Sequence, residues 1–323
     1  LVAALAAWAA LSCAPAGFQN PTVVTSVRVL ASSADQPYAK PGSTVTLQVL
    51  AYDGRPTRPE PMTIYWLPFP CINPLNDAYY ACFSQFAAGA AGDGGSSTPA
   101  FDLTSLPTGP SFQFAMPADA IATHPAMPGM QAPYGLAIVF NIACAGHLEL
   151  VPLDPDNVQA PPVACFDAQH NRLGPDDYVF GFTRVYAYDQ LENANPVIQS
   201  IDSSVALDPT TGGLTVPHCA GSCTAVHIGP VVPGSSQELD PAQRDVQGDV
   251  LHEQIWAEYF STFGSFTDDV RLMYDPVTGS LGRPIDTDDQ FQPPNQAGDG
   301  FLWIVVHDNR GGASWATVPV HVD

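Results

Sequence analysis

The feature that most constrains this chain is a two-residue apolar period, carried in short runs that proline and glycine cut off. Residues 178–189, YVFGFTRVYAYD, alternate aromatic and β-branched side chains over a full strand length. TSVRVLA (25–31), STVTLQVLAYD (43–53), PMTIYWLPF (61–69), SFQFAMP (111–117), YGLAIVFNIACAG (134–146) and PVACFDA (162–168) are apolar and rich in the same residue types. A period of two puts successive side chains on opposite faces of a sheet, and β-branched and aromatic residues pack well there. With 33 Pro and 26 Gly in 323 residues, turns end each run before an ordinary helix could extend. The expected fold class is all-β, built as two tandem immunoglobulin-like β-sandwiches behind an N-terminal export segment.

The break between the two falls near NANPVIQSI (193–201), where Asn and Pro end one strand and a new alternation starts at Val197. The expected organisation is therefore a signal segment at 1–13, a tether at 14–21, a sandwich with long insertions at 22–190 and a second sandwich at 193–323. The second ends on a hairpin, WIVVHD and WATVPVHV, about a turn at Asn309, Arg310, Gly311 and Gly312. EQIWAEYFST (253–262) also reads as a strand, so the His252–Glu253 pair at its start lacks the helical second His of a zinc protease; Trp256 stands there.

The first 13 residues, LVAALAAWAALSC, are uncharged and apolar and end in small side chains, as a secretory signal does. They are too few to span a bilayer, which takes about 20 residues. Ala10, Leu11, Ser12 and Cys13 resemble a bacterial lipobox, which makes Cys13 the expected lipidation site. Ala14 follows where an inner-membrane retention signal would place Asp, so the expected location is the outer membrane or cell surface, held by the lipid. Cleavage at Ala14–Pro15–Ala16 would instead release a soluble protein.

Cysteine counting agrees with export. With Cys13 set aside, Cys71, Cys82, Cys144, Cys165, Cys219 and Cys223 form three sequence-local candidate pairs out of 15 possible connectivities. An even remainder is what an oxidising compartment produces. HCAGSCTAVH brings His218 and His227 beside Cys219 and Cys223, a possible tetrahedral zinc set, but the thiol spacing suits a small disulfide loop better.

The formal charge is −22, from 10 Lys and Arg against 32 Asp and Glu. Such a surface repels phosphate backbones, which excludes nucleic acid as a partner. No cofactor is expected, with calcium as the exception: Asp286, Asp288 and Asp289 form an acidic loop able to offer it oxygens. Tyr79 and Tyr80 lie in a loop beside the first cysteine pair and are the candidate binding aromatics. Trp66 is expected in the first core, and Trp256, Trp303 and Trp315 in the second. GASWA (312–316) imitates a nucleophile elbow, yet a strand follows Ser314 where a helix is required.

The segments YGLAIVFNIACAGHLELV, CFDAQHNRLGPDDYVFGFTRVYAYDQLENANPVIQSI and AGDGFLWIVVHDNRGGASWATVPVHV are similar to predicted cell-surface lipoproteins of myxobacteria-like Gram-negatives, which carry immunoglobulin-like or PKD-like sandwiches. The resemblance covers roughly 130–323. It implies location and fold class, and brings no activity and no catalytic residues. The expected role is non-enzymatic: binding, adhesion or structure through sandwich loops, with a surface protein or polysaccharide as ligand and residues 70–110 as the contact. The rival readings are a secreted hydrolase or carbohydrate-active enzyme with its site in 70–110, and an accessory subunit of a secretion or appendage assembly.

Overall fold

The computed structural model describes residues 20–68, 70–83, 102–125, 132–152, 156–157, 159–221, 223–281 and 289–323. Cys13, Asp286 and Asp288 lie outside them. The chain is all-β.

The first half contains β1 (Val27–Ala34), β2 (Tyr38–Ala39), β3 (Thr44–Asp53), β4 (Thr63–Trp66), β5 (Cys71–Ile72), β6 (Ser111–Ala115), β7 (Gly135–Cys144), β8 (His147–Leu150), β9 (Val163–Phe166) and β10 (Tyr178–Ala187). One sheet has the order β1-β3-β6. The facing sheet has the order β2-β10-β7-β4, with β5 also on β7. The inward residues of both sheets, among them Val45, Leu47, Trp66, Phe114, Val139 and Val185, make the core between them. Trp66 is fully buried there, donating from its indole Nε1 to the Gly109 carbonyl at 2.8 Å.

The second half contains β11 (Ser200–Ser203), β12 (Leu214–Val216), β13 (Val226–Val231), β14 (Leu239–Arg244), β15 (Val250–His252), β16 (Ile255–Ser261), β17 (Ser265–Phe266), β18 (Val270–Asp275), β19 (Gly279–Ser280), β20 (Asp289–Gln292), β21 (Gly298–Asp308) and β22 (Ala313–Val322). Its sheets run β11-β13-β20-β17 and β12-β22-β21-β16-β18-β19. The halves repeat one plan. Each first strand pairs antiparallel within one sheet, and a short second strand crosses over to pair parallel with the last strand of the other. That strand order is immunoglobulin-like.

Three disulfides join Cys71 to Cys82, Cys144 to Cys165 and Cys219 to Cys223, with Cα atoms 5.9, 5.8 and 5.1 Å apart. Such bonds persist in oxidising compartments, in keeping with export.

The halves are fastened along a buried seam. Leu30, Ala31 and Tyr52 from the first half pack on Phe260, Trp303 and Val305 from the second. Alternation in β21 explains why: Leu302, Ile304 and Val306 fill the second core, which turns Trp303 and Val305 outward. Trp303 therefore belongs to the seam and not to the second core. Trp315 also borders the seam, and Trp256 stacks on His307, half-buried. The Asn195 side chain bridges the halves as well, donating to the Ala34 carbonyl at 2.7 Å and accepting from the Ala313 amide at 2.9 Å. Residues 22–24, expected to open the first sandwich, instead dock on the second: Val23 bridges Ser261, and the Ser261 amide donates to the Thr22 carbonyl.

Candidate functional site

Strand β10 sets up the site. Its odd positions, Thr183, Val185 and Ala187, point into the first sandwich and are buried. Its even positions therefore line the opposite face, where Phe180, Phe182 and Tyr186 stand half-buried and Arg184 exposed. Tyr188 continues the row. Tyr38 joins it because β2 pairs with β10 at Tyr186 and Ala187. The result is a band of phenols: Tyr38 lies 4.7 Å from Tyr188, and Tyr134 lies 5.5 and 5.9 Å from Tyr186 and Tyr188.

The band borders a hollow of about 440 Å³ where the two halves meet. Tyr38, Phe182, Tyr186 and Tyr188 supply its aromatic wall. Asn309, Arg310 and Gly311, from the turn between β21 and β22, close the other side. Arg310 lies over the Tyr38 ring at 5.3 Å, and Arg184 over Phe182 at 4.9 Å. Cation–π contact of this kind orients both partners. Burial is the main cause that raises the Tyr38 phenol well above its ordinary range and the Tyr188 phenol to about 12. Both stay neutral at physiological pH, each with an O–H to offer a ligand. A second hollow, also about 440 Å³, lies between Tyr52 and the β21–β22 edge, where Phe301, Asp299 and His321 also line it.

Behind the phenol band, Asp77 holds the wall in place. It accepts from the Tyr134 hydroxyl at 2.5 Å and contacts Nε2 of His124 at 2.9 Å, while Nδ1 of His124 faces the Pro125 carbonyl at 2.9 Å. Asn73, Asn76 and Asp77 all adopt positive φ, a conformation rare outside glycine that Asn and Asp tolerate best. Asn73 pins this loop to the sheet by accepting from the Leu136 amide at 2.8 Å.

The residues singled out by sequence fall as follows. Tyr79 stacks on Phe182 at 4.8 Å, and Tyr80 is 40% exposed beside it, so the pair extends the aromatic row. The described part of the 70–110 insertion is a cover over the sheet, not a free loop: Cys71, Cys82 and Phe83 are buried against Ile138, Phe140 and Ile142. Asp289 is fully buried at the start of β20. It accepts from the Gln290 amide at 2.7 Å and the Asp268 amide at 3.1 Å, with Arg271 3.6 Å away. Its oxygens are committed to the protein, and it is a staple between loops. Ser314 donates to the Pro196 carbonyl at 2.6 Å. Cys219 and Cys223 are spent on each other, so they offer no thiolates to zinc.

Sequence reasoning missed Tyr38, Tyr186, Tyr188 and Arg310. Tyr38 sits in a turn cluster and Arg310 in a hairpin turn, and only pairing across the sheets brings them together. The legible signal was β10 itself, aromatic on one period-two face and aliphatic on the other.

No protein-family model matches the chain, and no curated protein matches it. Among solved structures, the chain is similar to three N-terminal domains of the bacteriophage RB49 highly immunogenic outer capsid protein Hoc, at 11% identity over 92% of this chain and 59% of that one, TM-score 0.20. It is similar to dimeric latent PorU from Porphyromonas gingivalis at 10% identity over 93% and 24% of the two chains, TM-score 0.20. It is also similar to the C-terminal domain of the Streptococcus pyogenes antigen I/II-family protein AspA at 10% identity over 92% and 99%, TM-score 0.19. The chain thus spans less than two thirds of the first and about a quarter of the second. Likeness at these scores assigns neither relationship nor activity. The class rests on strand order: an all-β, disulfide-stapled chain of tandem immunoglobulin-like sandwiches.

Proposed function

We propose that this protein is a non-enzymatic binding module of the bacterial cell surface, held to the outer membrane through a lipid on Cys13, and that it captures polysaccharide in the aromatic cleft between its two sandwiches. The observation that carries this reading is the row of half-buried aromatic rings on and beside β10, Phe182, Tyr186, Tyr188 and Tyr38, with Arg184 over Phe182 and Arg310 over Tyr38. Aromatic faces take the flat C–H faces of sugar rings, while phenol O–H groups and the exposed Arg184 guanidinium bond hydroxyls and carboxylates at the edges. Arg310, whose guanidinium is spent on Glu253, Glu238 and Asn193, backs the Tyr38 ring. Tyr and Arg also dominate protein contacts, so a surface protein is the competing ligand. The reading gains from the fixed seam, which holds both cleft walls in one geometry and lowers the entropy cost of binding.

Affinity electrophoresis of the folded protein through gels holding capsular, lipopolysaccharide-derived or exopolysaccharide chains tests it. Retardation by one such polymer, with the polymer recovered intact, is expected. Mobility equal to that of a non-binding control in every gel removes the reading. Shortening of the polymer transfers the site to the carbohydrate-active enzyme that the sequence also allows.

A further inference from the structure

Between Tyr134 and β10 in sequence, the hairpin of β8 and β9 carries three potential metal ligands. His147 and Glu149 are two residues apart on β8, so their side chains share one face. His170 comes from the turn that follows β9. Nε2 of His147 lies 3.0 Å and Nδ1 of His170 2.6 Å from the same oxygen, Oε1 of Glu149. All three ligand atoms fall within 4.8 Å of one another, and among the described residues no other such group of three occurs.

The frame around them is held from both sides. The Cys144–Cys165 disulfide ties the end of β7 to β9. Asp167 accepts from the Gln169 amide at 2.9 Å and the Asn171 amide at 2.8 Å, which closes the turn around His170. His170 itself has φ of +61°, a conformation that costs energy for a residue bearing a side chain and that persists only where its surroundings fix it. The two rings are edge-on, with centroids 5.3 Å apart, so both nitrogens converge without the rings colliding.

The geometry points to a binding site for one divalent first-row transition metal, zinc foremost, made by His147 Nε2, Glu149 and His170 Nδ1. Two imidazoles and a carboxylate are ligands that zinc accepts, and three of them leave a coordination position for water or a partner's side chain. Calcium and magnesium prefer all-oxygen sets and are not expected to compete. All three residues are at least partly exposed, so a metal can enter without opening the fold.

Calorimetric titration of the metal-free full chain with zinc chloride, followed by Co²⁺ absorption spectroscopy, tests the assignment. One tight equivalent is expected, with a Co²⁺ spectrum showing nitrogen and oxygen ligation. His147→Ala, His170→Ala and Glu149→Gln should each weaken zinc at least tenfold, while a millimolar excess of Ca²⁺ leaves binding unchanged. His321→Ala serves as the control, because His321 pairs with Asp299 at 2.7 Å on another part of the chain and should not matter. Circular dichroism of each metal-free variant must match the parent, and Glu149→Gln, the nearest isostere, carries the test if a His variant misfolds. Absence of a tight equivalent, or binding lost with His321→Ala and kept in the other three, overturns the site.

Discussion

Arg310 donates from Nε to the fully buried carboxylate of Glu253 at 2.5 Å, while its guanidinium lies over the ring of Tyr38 at 5.3 Å. One side chain thus joins the second core, the seam and the cleft. The same guanidinium donates to Asn193 at 2.9 Å and to Glu238 at 2.7 Å. Asp308 sits close by, accepting from the Arg310 amide at 2.7 Å. Two carboxylates, the buried Glu253 and the partly exposed Glu238, therefore share one buried cation, with Asp308 beside them.

At pH 8, where Glu253 is ionised, removing that cation leaves it buried without a counter-charge. Breaking one side of a buried pair costs about 3–5 kcal/mol. Arg310→Met is expected to lower unfolding free energy by that amount in a urea titration. A loss under about 1 kcal/mol would mean the cluster is solvated and contributes little.

Stability should also depend on pH through Glu253. Burial, and next the Asp308 carboxylate, push its pKa up from 4.5 to about 7 against the pull of Arg310. The folded chain then holds a proton between those values that the unfolded chain releases. Stability from this group is present below pH 4.5 and is lost as pH rises through about 7, by up to about 3 kcal/mol. Urea titrations at pH 5 and pH 8 should show this fall in the parent and less of it in Glu253→Gln. An equal fall in both would place the titration elsewhere.

The seam predicts a coupled loss. Trp303 is buried between the halves, 4.8 Å from Tyr52. Trp303→Ala should cost about 3–5 kcal/mol and widen the solution envelope in small-angle scattering. An unchanged envelope with an unchanged melting temperature would show that Asn195 and residues 22–24 hold the halves without it.

The Cys71–Cys82 bond closes a loop with a sequence separation of 11. Chain entropy assigns about 3 kcal/mol to a loop of that length. Replacing both cysteines by Ser should lower stability by that order and expose the buried Phe83 and the apolar face of β7 to hydrogen exchange. Protection of β7 equal to the parent's would show that packing alone seats the cover.

Much of this architecture is legible in the residue pattern, for a physical reason. Period-two runs such as 43–53 and 178–187 can bury a face only as strands, and Pro and Gly mark their ends. The sequence-local cysteine pairs follow from the same compactness. The cleft is not legible, because which face of β10 meets solvent depends on what covers it, and Tyr38 and Arg310 are 272 positions apart and are joined only by tertiary pairing. Trp303 shows the same limit. Alternation puts it on one face of β21, yet only the partner sandwich makes that face buried. The His147, Glu149 and His170 group also escapes spacing rules, since a strand and a distant turn contribute its members.

The central claim is that the phenol cleft binds glycan, and the direct measurement is calorimetric titration of the retarding polysaccharide's oligomers into the parent, Tyr188→Ala and Val246→Ala proteins. Tyr188 is in the cleft wall, whereas Val246 is 96% exposed and lies outside it. The account predicts at least a tenfold loss of affinity, about 1.4 kcal/mol, for Tyr188→Ala and none for Val246→Ala. Equal affinity in all three proteins would contradict it and move the ligand off the cleft.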